Sequence, residues 1–280
     1  MPGVHIVSDT ASDLPPDLAA ANGIELVPLT VRFGAEELVD RRDLTSEDFW
    51  ARVASSPGLP ETAAPSPGAF EEAYRRAAGA GAEGVVCVTI SSSLSATYEA
   101  ARLAAGAAGA DVPVRVVDSR AVSMAEGTVA LAAARAAAAG KSLDDAAAAA
   151  EAMVPLTRTY AALDTLENLR KGGRIGAAQA FLGSVLSIKP VIEVTGGKVE
   201  PESKQRTRGR SLRYLADKVR QDAPVENLSV MHGRAPDVAE LVSLLAEFHP
   251  RDQITVAEIG AVIGTHAGPR VIGVTYSVPG

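Results

Sequence analysis

Cysteine is nearly absent from this chain. One such residue, Cys87, in 280 excludes an intrachain disulfide framework, and its place in an apolar run reads as a buried thiol. Aromatic residues are scarce, at 4%, so the core must be mainly aliphatic, with much of it alanine. No apolar stretch is long enough to cross a bilayer: the most apolar helical segment, Thr128 to Ala139, is short and holds Arg135. The histidines show no metal-ligand spacing, and nothing calls for a cofactor. An excess of positive charge is also lacking. The net charge of −7 argues against nucleic acid as a general partner. The opening MPGVHIVSDT begins with a strand pattern and not a secretory signal, so the expectation is a cytoplasmic protein with at most transient membrane contact. G-x-S-x-G, Walker A and dinucleotide fingerprints after a strand are missing too.

What is present is apolar material, 47% of the chain, in alternating strand and helix patterns. Strands are expected at 4–8, 25–32, 84–90 and 112–117. Helices are expected at 15–22, 46–55, 69–78, 94–105, 124–139 and 143–153. This alternation predicts a mostly parallel sheet flanked by helices. After a seam near Pro155–Tyr160 the pattern changes. A helix at 165–171 stops at Gly172-Gly173, and another is expected over 177–187. Segments 190–195 and 198–202 flank Gly196-Gly197, a hairpin signal. A helix at 209–221 and a strand–helix–strand run to Val278 complete a mixed sheet with helices. The expected fold is α/β in two domains, residues 1–158 and 159–280.

The stretch ISSSLSATYEAA, residues 90–101, puts five hydroxyls where a strand becomes a helix: Ser91, Ser92, Ser93, Ser95 and Thr97. Three other helix starts carry a capping-box pattern: Thr45 with Asp48, Ser123 with Glu126, and Ser142 with Asp145. Here no carboxylate occurs from Ser91 to Tyr98. Two readings stand. The positive helix end is open to an outside anion, at the strand end where open α/β sheets bind ligands; or one serine caps the helix and the others form a turn. Similar pairs of readings hold elsewhere. Thr62 faces a ligand or decorates a loop. Arg174, after the glycine pair, meets an anion or solvent. His266, in the glycine-rich IGAVIGTHAGPR between two strands, donates to a carboxylate or is a loop histidine. A basic cluster from Lys204 to Arg220, with Arg206, Arg210 and Arg213 at helical spacing, is a solvated face or a docking surface for an acidic partner.

The ordered set IVSDTASDLP, TAAPSPGAF, ISSSLSATYEAA, VVDSRAVS, LENLRKGGRIG, KPVIEVTGGKV and IGTHAGP covers nearly the whole chain. It resembles the DegV family of bacterial fatty-acid-binding proteins. The resemblance implies two α/β domains holding one long-chain fatty acid, with no turnover by this chain itself. It also implies a partner similar to dihydroxyacetone kinases, which phosphorylates the bound carboxylate with ATP and so supplies acyl phosphate for phospholipid synthesis. Carried over by motif, Thr62, Ser93 and His266 would hold the carboxylate, with Ser92 and Ser95 as neighbouring candidates. Arg174 and Thr265 would belong to the head-group region or the kinase contact, and Arg206, Arg210 and Arg213 to kinase docking. Phe181, Leu182, Val185, Leu186 and Ile188 are candidates to line the tail. Two departures stand out: Ala96 replaces the glycine of S-L-S-G-T, and His266-Ala267-Gly268-Pro269-Arg270 replaces H-T-G-P-G, placing a cation near the expected mouth. Two other functions fit the residues: a serine-dependent esterase or acyltransferase using the serine cluster and His266, and a binding module for another carboxylated or phosphorylated metabolite.

Overall fold

The computed structural model describes residues 3–56, 58–109, 111–182 and 188–280. The first half runs β1 (Val4–Asp9), α1 (Pro16–Ala21), β2 (Ile24–Val27), β3 (Thr30–Phe33), β4 (Glu36–Val39), α2 (Ser46–Ser55), β5 (Glu61–Ala63), α3 (Pro67–Gly79), β6 (Gly84–Thr89), α4 (Thr97–Ala108), β7 (Val114–Asp118), α5 (Met124–Ala138) and α6 (Leu143–Met153). The second half continues with β8 (Thr157–Ala162), α7 (Glu167–Lys171), β9 (Lys189–Thr195), β10 (Lys198–Gln205), α8 (Arg208–Asp222), β11 (Glu226–His232), α9 (Val238–Leu245), β12 (Thr255–Glu258), α10 (Ala261–Ala267) and β13 (Ile272–Ser277).

The first sheet is parallel throughout, in the order β2-β1-β6-β7. Its inner strand β6 is buried at every residue, which explains an unbroken apolar run where a half-exposed strand would alternate. Val85 and Cys87 face α3 and α4, while Val86 and Val88 face the core of α5 and α6. The second sheet is mixed, ordered β10-β9-β8-β13-β11-β12, with only β11 and β12 parallel. Gly196 and Gly197 turn the β9–β10 hairpin with φ of 58° and 83°, the left-handed pair that a two-residue hairpin requires. One face of this sheet packs Ile272, Val274 and Tyr276 against Leu212, Leu215, Leu241 and Leu245 of α8 and α9. The other face meets α5, which also contacts β1 and β6 of the first sheet. Helix α5 is thus enclosed from two sides, and its alanines let both sheets approach it closely.

Several elements depart from the sequence expectation. The extended segment 25–32 is two strands, broken at Pro28, and β3 joins β4 and β5 in a small antiparallel sheet ordered β4-β3-β5. The glycine-rich segment before β13 contains α10, so His266 is a helical residue and not a loop one. The helix expected at 177–187 is a 3-10 turn over Gly176–Phe181; positions 183–187, Val185 and Leu186 among them, lie outside the described residues. The capping box at Ser123 does not form. Ser123 has φ 56° and its side chain caps nothing. Its hydroxyl donates instead to Asp13 Oδ2 at 2.5 Å, and Glu126 is fully buried. Thr45 and Ser142 do cap their helices through Asp48 and Asp145 N–H groups. Helix α4 starts at Thr97, three residues later than expected, so Glu99 falls in its first turn. The serine-rich helix start therefore has its own carboxylate after all.

Candidate functional site

Between the second sheet and the first half of the chain lies a cavity of about 180 Å3, concave and mainly apolar as small-molecule sites are. Its walls are mostly aliphatic: Leu29, Ile90, Leu94, Val122, Leu163, Leu169, Ile192, Val194, Met231, Val262 and Val271 among others. A second pocket adjoins it and is polar, lined by Glu61, Asn168, Lys171, Gly172 and Thr265. Thr62, Arg174 and His266 line both. These three side chains therefore stand at the junction between an apolar interior and a polar vestibule.

Each is placed by a separate element. Thr62 sits on β5, opposite Val31 of β3. His266 sits in the last turn of α10. That helix is pinned at its start, where Gly260 N–H donates to Asp13 Oδ1 at 2.9 Å, and along its side, where Gly264 leaves room for Phe49 and Trp50. Trp50 Nε1 donates to Ile259 O at 3.1 Å. Asn168 of α7 donates to Thr265 O at 3.0 Å. The outcome is a hydrogen bond between Thr62 Oγ1 and His266 Nε2 at 2.8 Å. His266 Nδ1 is buried without a partner among the described residues and lies so close to Gly172 that a Cβ there would be 2.4 Å away. Arg174 donates through Nε to Leu94 O at 3.0 Å and through Nη1 to Gly172 O at 2.7 Å. It ties the serine loop to the glycine turn.

Electrostatically the junction favours an anion. Burial, and then the nearby Arg174 guanidinium, push His266 down to about 4, so at neutral pH the imidazole is neutral and Arg174 is the fixed cation. Beneath the site lies a buried acidic group. Asp9 accepts from Ala11 and Ile90 N–H groups, each at 2.9 Å, so it fixes the start of the serine loop as Asp13 fixes the start of α10. Burial raises Asp9 to about 6 and Asp13 to about 7. Burial and the adjacent Asp9 carboxyl raise Glu126 well above the usual range.

The family model for uncharacterised proteins of the DegV family matches residues 3–278. The chain belongs to the DegV family. A DegV domain-containing protein of Streptomyces coelicolor is 41% identical over 286 aligned positions, covering 98% of each chain. Among solved structures, a fatty-acid-binding DegV family protein from Thermus thermophilus has a TM-score of 0.89 at 32% identity, covering 99% of this chain and 100% of that one. DegV of Bacillus subtilis, described as a fatty acid binding protein, has a TM-score of 0.86 at 28% identity with full coverage of both chains.

Against the DegV motif pattern, the structure brings Thr62, Arg174 and His266 together, with Ser95 in the same cavity wall. Ser95 Oγ shares a hydrogen bond with Thr97 Oγ1 at 2.8 Å. Ser92 and Ser93 are exposed and lie outside both linings. Ser92 is engaged by Asp118, which accepts from its N–H at 3.1 Å and its hydroxyl at 2.5 Å. Thr265 lines the outer pocket, and its hydroxyl donates to Ala261 O at 2.8 Å. Ala96 and Ala267 both line the cavity, whereas Arg270 does not; it reaches Asp164 at 3.4 Å. Phe181, Leu182 and Ile188 are not in the lining either. One wall of the cavity is the second sheet, through Ile192, Val194, Val199, Met231 and Gly273 among others, whose alternating strands offered that signal in sequence. Sequence reasoning also passed over Ser91. Its hydroxyl donates to Gly197 O at 2.7 Å and accepts from Ser93 N–H at 3.2 Å, docking the serine loop on the hairpin turn. In the basic cluster, Arg208 pairs with Asp237, Lys218 with Glu202 and Arg220 with Glu247. Arg206 precedes α8. Arg206, Arg210 and Arg213 are exposed and form no ion pair among the described residues.

Proposed function

We propose that this chain binds a long-chain fatty acid, tail in the aliphatic cavity and carboxylate at Thr62, Ser95, Arg174 and His266, and presents that carboxylate to a kinase without turnover of its own. The observation that carries this reading is the junction itself, where three polar side chains close a greasy cavity against a polar vestibule. The DegV neighbours described as fatty-acid-binding support it. Each buried CH2 contributes roughly 0.8 kcal/mol, so about fourteen to sixteen carbons offer on the order of 10 kcal/mol before ordering costs. The tail thus supplies most of the affinity. The head-group donors remove the penalty of burying an anion and set its position. With the proton on Nε2, His266 donates to Thr62 Oγ1 and leaves the threonine proton to donate to a ligand oxygen. Arg174 supplies the countercharge. The carboxylate then faces the vestibule, where an incoming phosphoryl group has room.

Binding of oleic acid against oleyl alcohol tests the head-group assignment. The wild-type chain should prefer the acid, and Arg174→Gln should lose most of that preference while still binding the alcohol. Equal affinity for acid and alcohol in the wild type would reject the assignment. The exposed arginines before and within α8 fit a docking surface for an acidic kinase face. Charge reversal at Arg206 and Arg210 should weaken coupled acyl-phosphate formation and leave lipid binding intact; an unchanged apparent affinity for the kinase would remove this part of the proposal.

A further inference from the structure

The cavity wall is not apolar at both ends. At the start of β13 and along it, Val271, Gly273 and Thr275 line the cavity, while Ile272, Val274 and Tyr276 belong to the core under α8 and α9. Thr275 stands opposite Thr159 of β8 and Ser229 of β11. Three hydroxyl residues therefore cross three adjacent strands at one level of the sheet. Thr275 is four residues beyond Val271, about 13 Å along an extended strand, and Thr159 is four residues before Leu163, another wall residue. Val271 and Leu163 lead towards the turn and helices that carry His266 and Arg174. The hydroxyl row thus lies at the end of the cavity remote from the head-group junction.

Two of the three hydroxyl residues, Thr159 and Thr275, line the cavity. Thr275 is only 2% exposed, and its Oγ1 has no hydrogen-bond partner among the described residues. Ser229 differs: its hydroxyl donates to Asn227 O at 3.4 Å. Packing does not ask for an oxygen at Thr275, since valine has the same β-branched shape and suits a strand equally well. An unpaired hydroxyl facing a hydrocarbon tail is a penalty with no return. It becomes an asset only when the tail brings an oxygen of its own.

We propose that the far end of the cavity selects acyl chains that carry a hydroxyl group in their distal part, with Thr275 and Thr159 as the specificity-determining pair. This rests on the fatty-acid reading above and narrows it to hydroxy fatty acids. Equilibrium binding of two matched pairs tests it: ricinoleic against oleic acid, and ω-hydroxypalmitic against palmitic acid, on the full chain and on Thr275→Val. At least one hydroxy acid should bind the wild type better than its parent. In Thr275→Val that preference should fall about tenfold, the loss of one hydrogen bond, while the parent acids bind at least as well as before. Thr159→Val is a second variant with the same expected direction should Thr275→Val fold poorly. If the parent acids bind but neither variant alters the hydroxy-to-parent ratio, the selectivity is rejected and fatty-acid binding stands. If none of the four acids binds the wild type, both readings fall.

Discussion

Gly172→Ala isolates the junction by a single methyl group placed outside the lipid cavity. Gly172 has φ −75° and ψ −5°, a conformation that alanine adopts without strain, so the backbone has no reason to change. The added Cβ would meet His266 Nδ1 at 2.4 Å and Cε1 at 2.9 Å, with Asn168 O at 3.1 Å. Real Cβ atoms do not approach so closely, so the imidazole must move and its hydrogen bond with Thr62 is displaced from its 2.8 Å geometry. Thr62 is then no longer oriented to donate to the carboxylate, and losing one hydrogen bond to a charged group costs about 1.5–3 kcal/mol, which is roughly a 10- to 150-fold weaker hold on a fatty-acid anion. Displacement of a fluorescent fatty acid by oleic acid measures this, beside a thermal melt. Gly106→Ala, where a Cβ meets nothing within 4 Å, is the control. Oleic acid affinity in Gly172→Ala within about twofold of wild type, under RT ln 2 of free energy, would refute the role given to His266.

The remaining predictions follow from the neighbouring groups. His266 is held neutral, with its folded value near 4 below the unfolded value of about 6.5; its contribution to stability is full above about pH 6.5 and is lost as pH falls towards 4, by on the order of 3 kcal/mol. A bound carboxylate favours the charged ring, so lipid binding at about pH 5.5 should take up protons, a buffer-dependent heat that calorimetry detects and that His266→Gln should abolish. Asp13 has the opposite sign: its raised folded value of about 7 makes its contribution greatest at low pH and lost as pH rises from about 4 to 7. The stability deficit of Asp13→Asn should therefore shrink by about 2–3 kcal/mol between about pH 5 and pH 8 in urea titrations, and an unchanged deficit would refute the buried, protonated Asp13. Gly197→Ala should weaken lipid binding from a distance, because its Cβ would meet Ser91 Oγ at 2.7 Å at a residue with φ 83°; the thermal melt should fall as well, and full affinity would show that the hairpin does not position the serine loop.

The legible parts of this chain were those that a single segment determines. Helices α2 and α6 carry genuine capping boxes and alanine-rich or amphipathic spacing, and their ends coincide with expectation. Strand β6 was visible as an apolar run because both its faces are covered. What escaped was set by distant contacts. Strand β5 has three residues and exists because β3 pairs with it. Helix α10 contains a glycine that its packing on Phe49 and Trp50 explains. Ser123 and Glu126 match the capping pattern, yet Asp13 takes the serine hydroxyl and the glutamate turns inward. Among the serines, motif position pointed to Ser93, whereas the loop's docking through Ser91 on Gly197 leaves Ser95 as the one in the cavity wall. The basic cluster was compositionally uniform, and only the fold separates the paired Arg208, Lys218 and Arg220 from the exposed Arg210 and Arg213.

The central claim is that an acyl chain fills the cavity. Native mass spectrometry of the purified chain, followed by solvent extraction and identification of whatever is released, tests it most directly. The account predicts a mass above that of the bare polypeptide, an extracted long-chain carboxylic acid, and weaker retention of that adduct when Thr62 and His266 are both replaced by residues that cannot donate. A bare-chain mass that stays bare after incubation with oleic, palmitic and ricinoleic acids would contradict it.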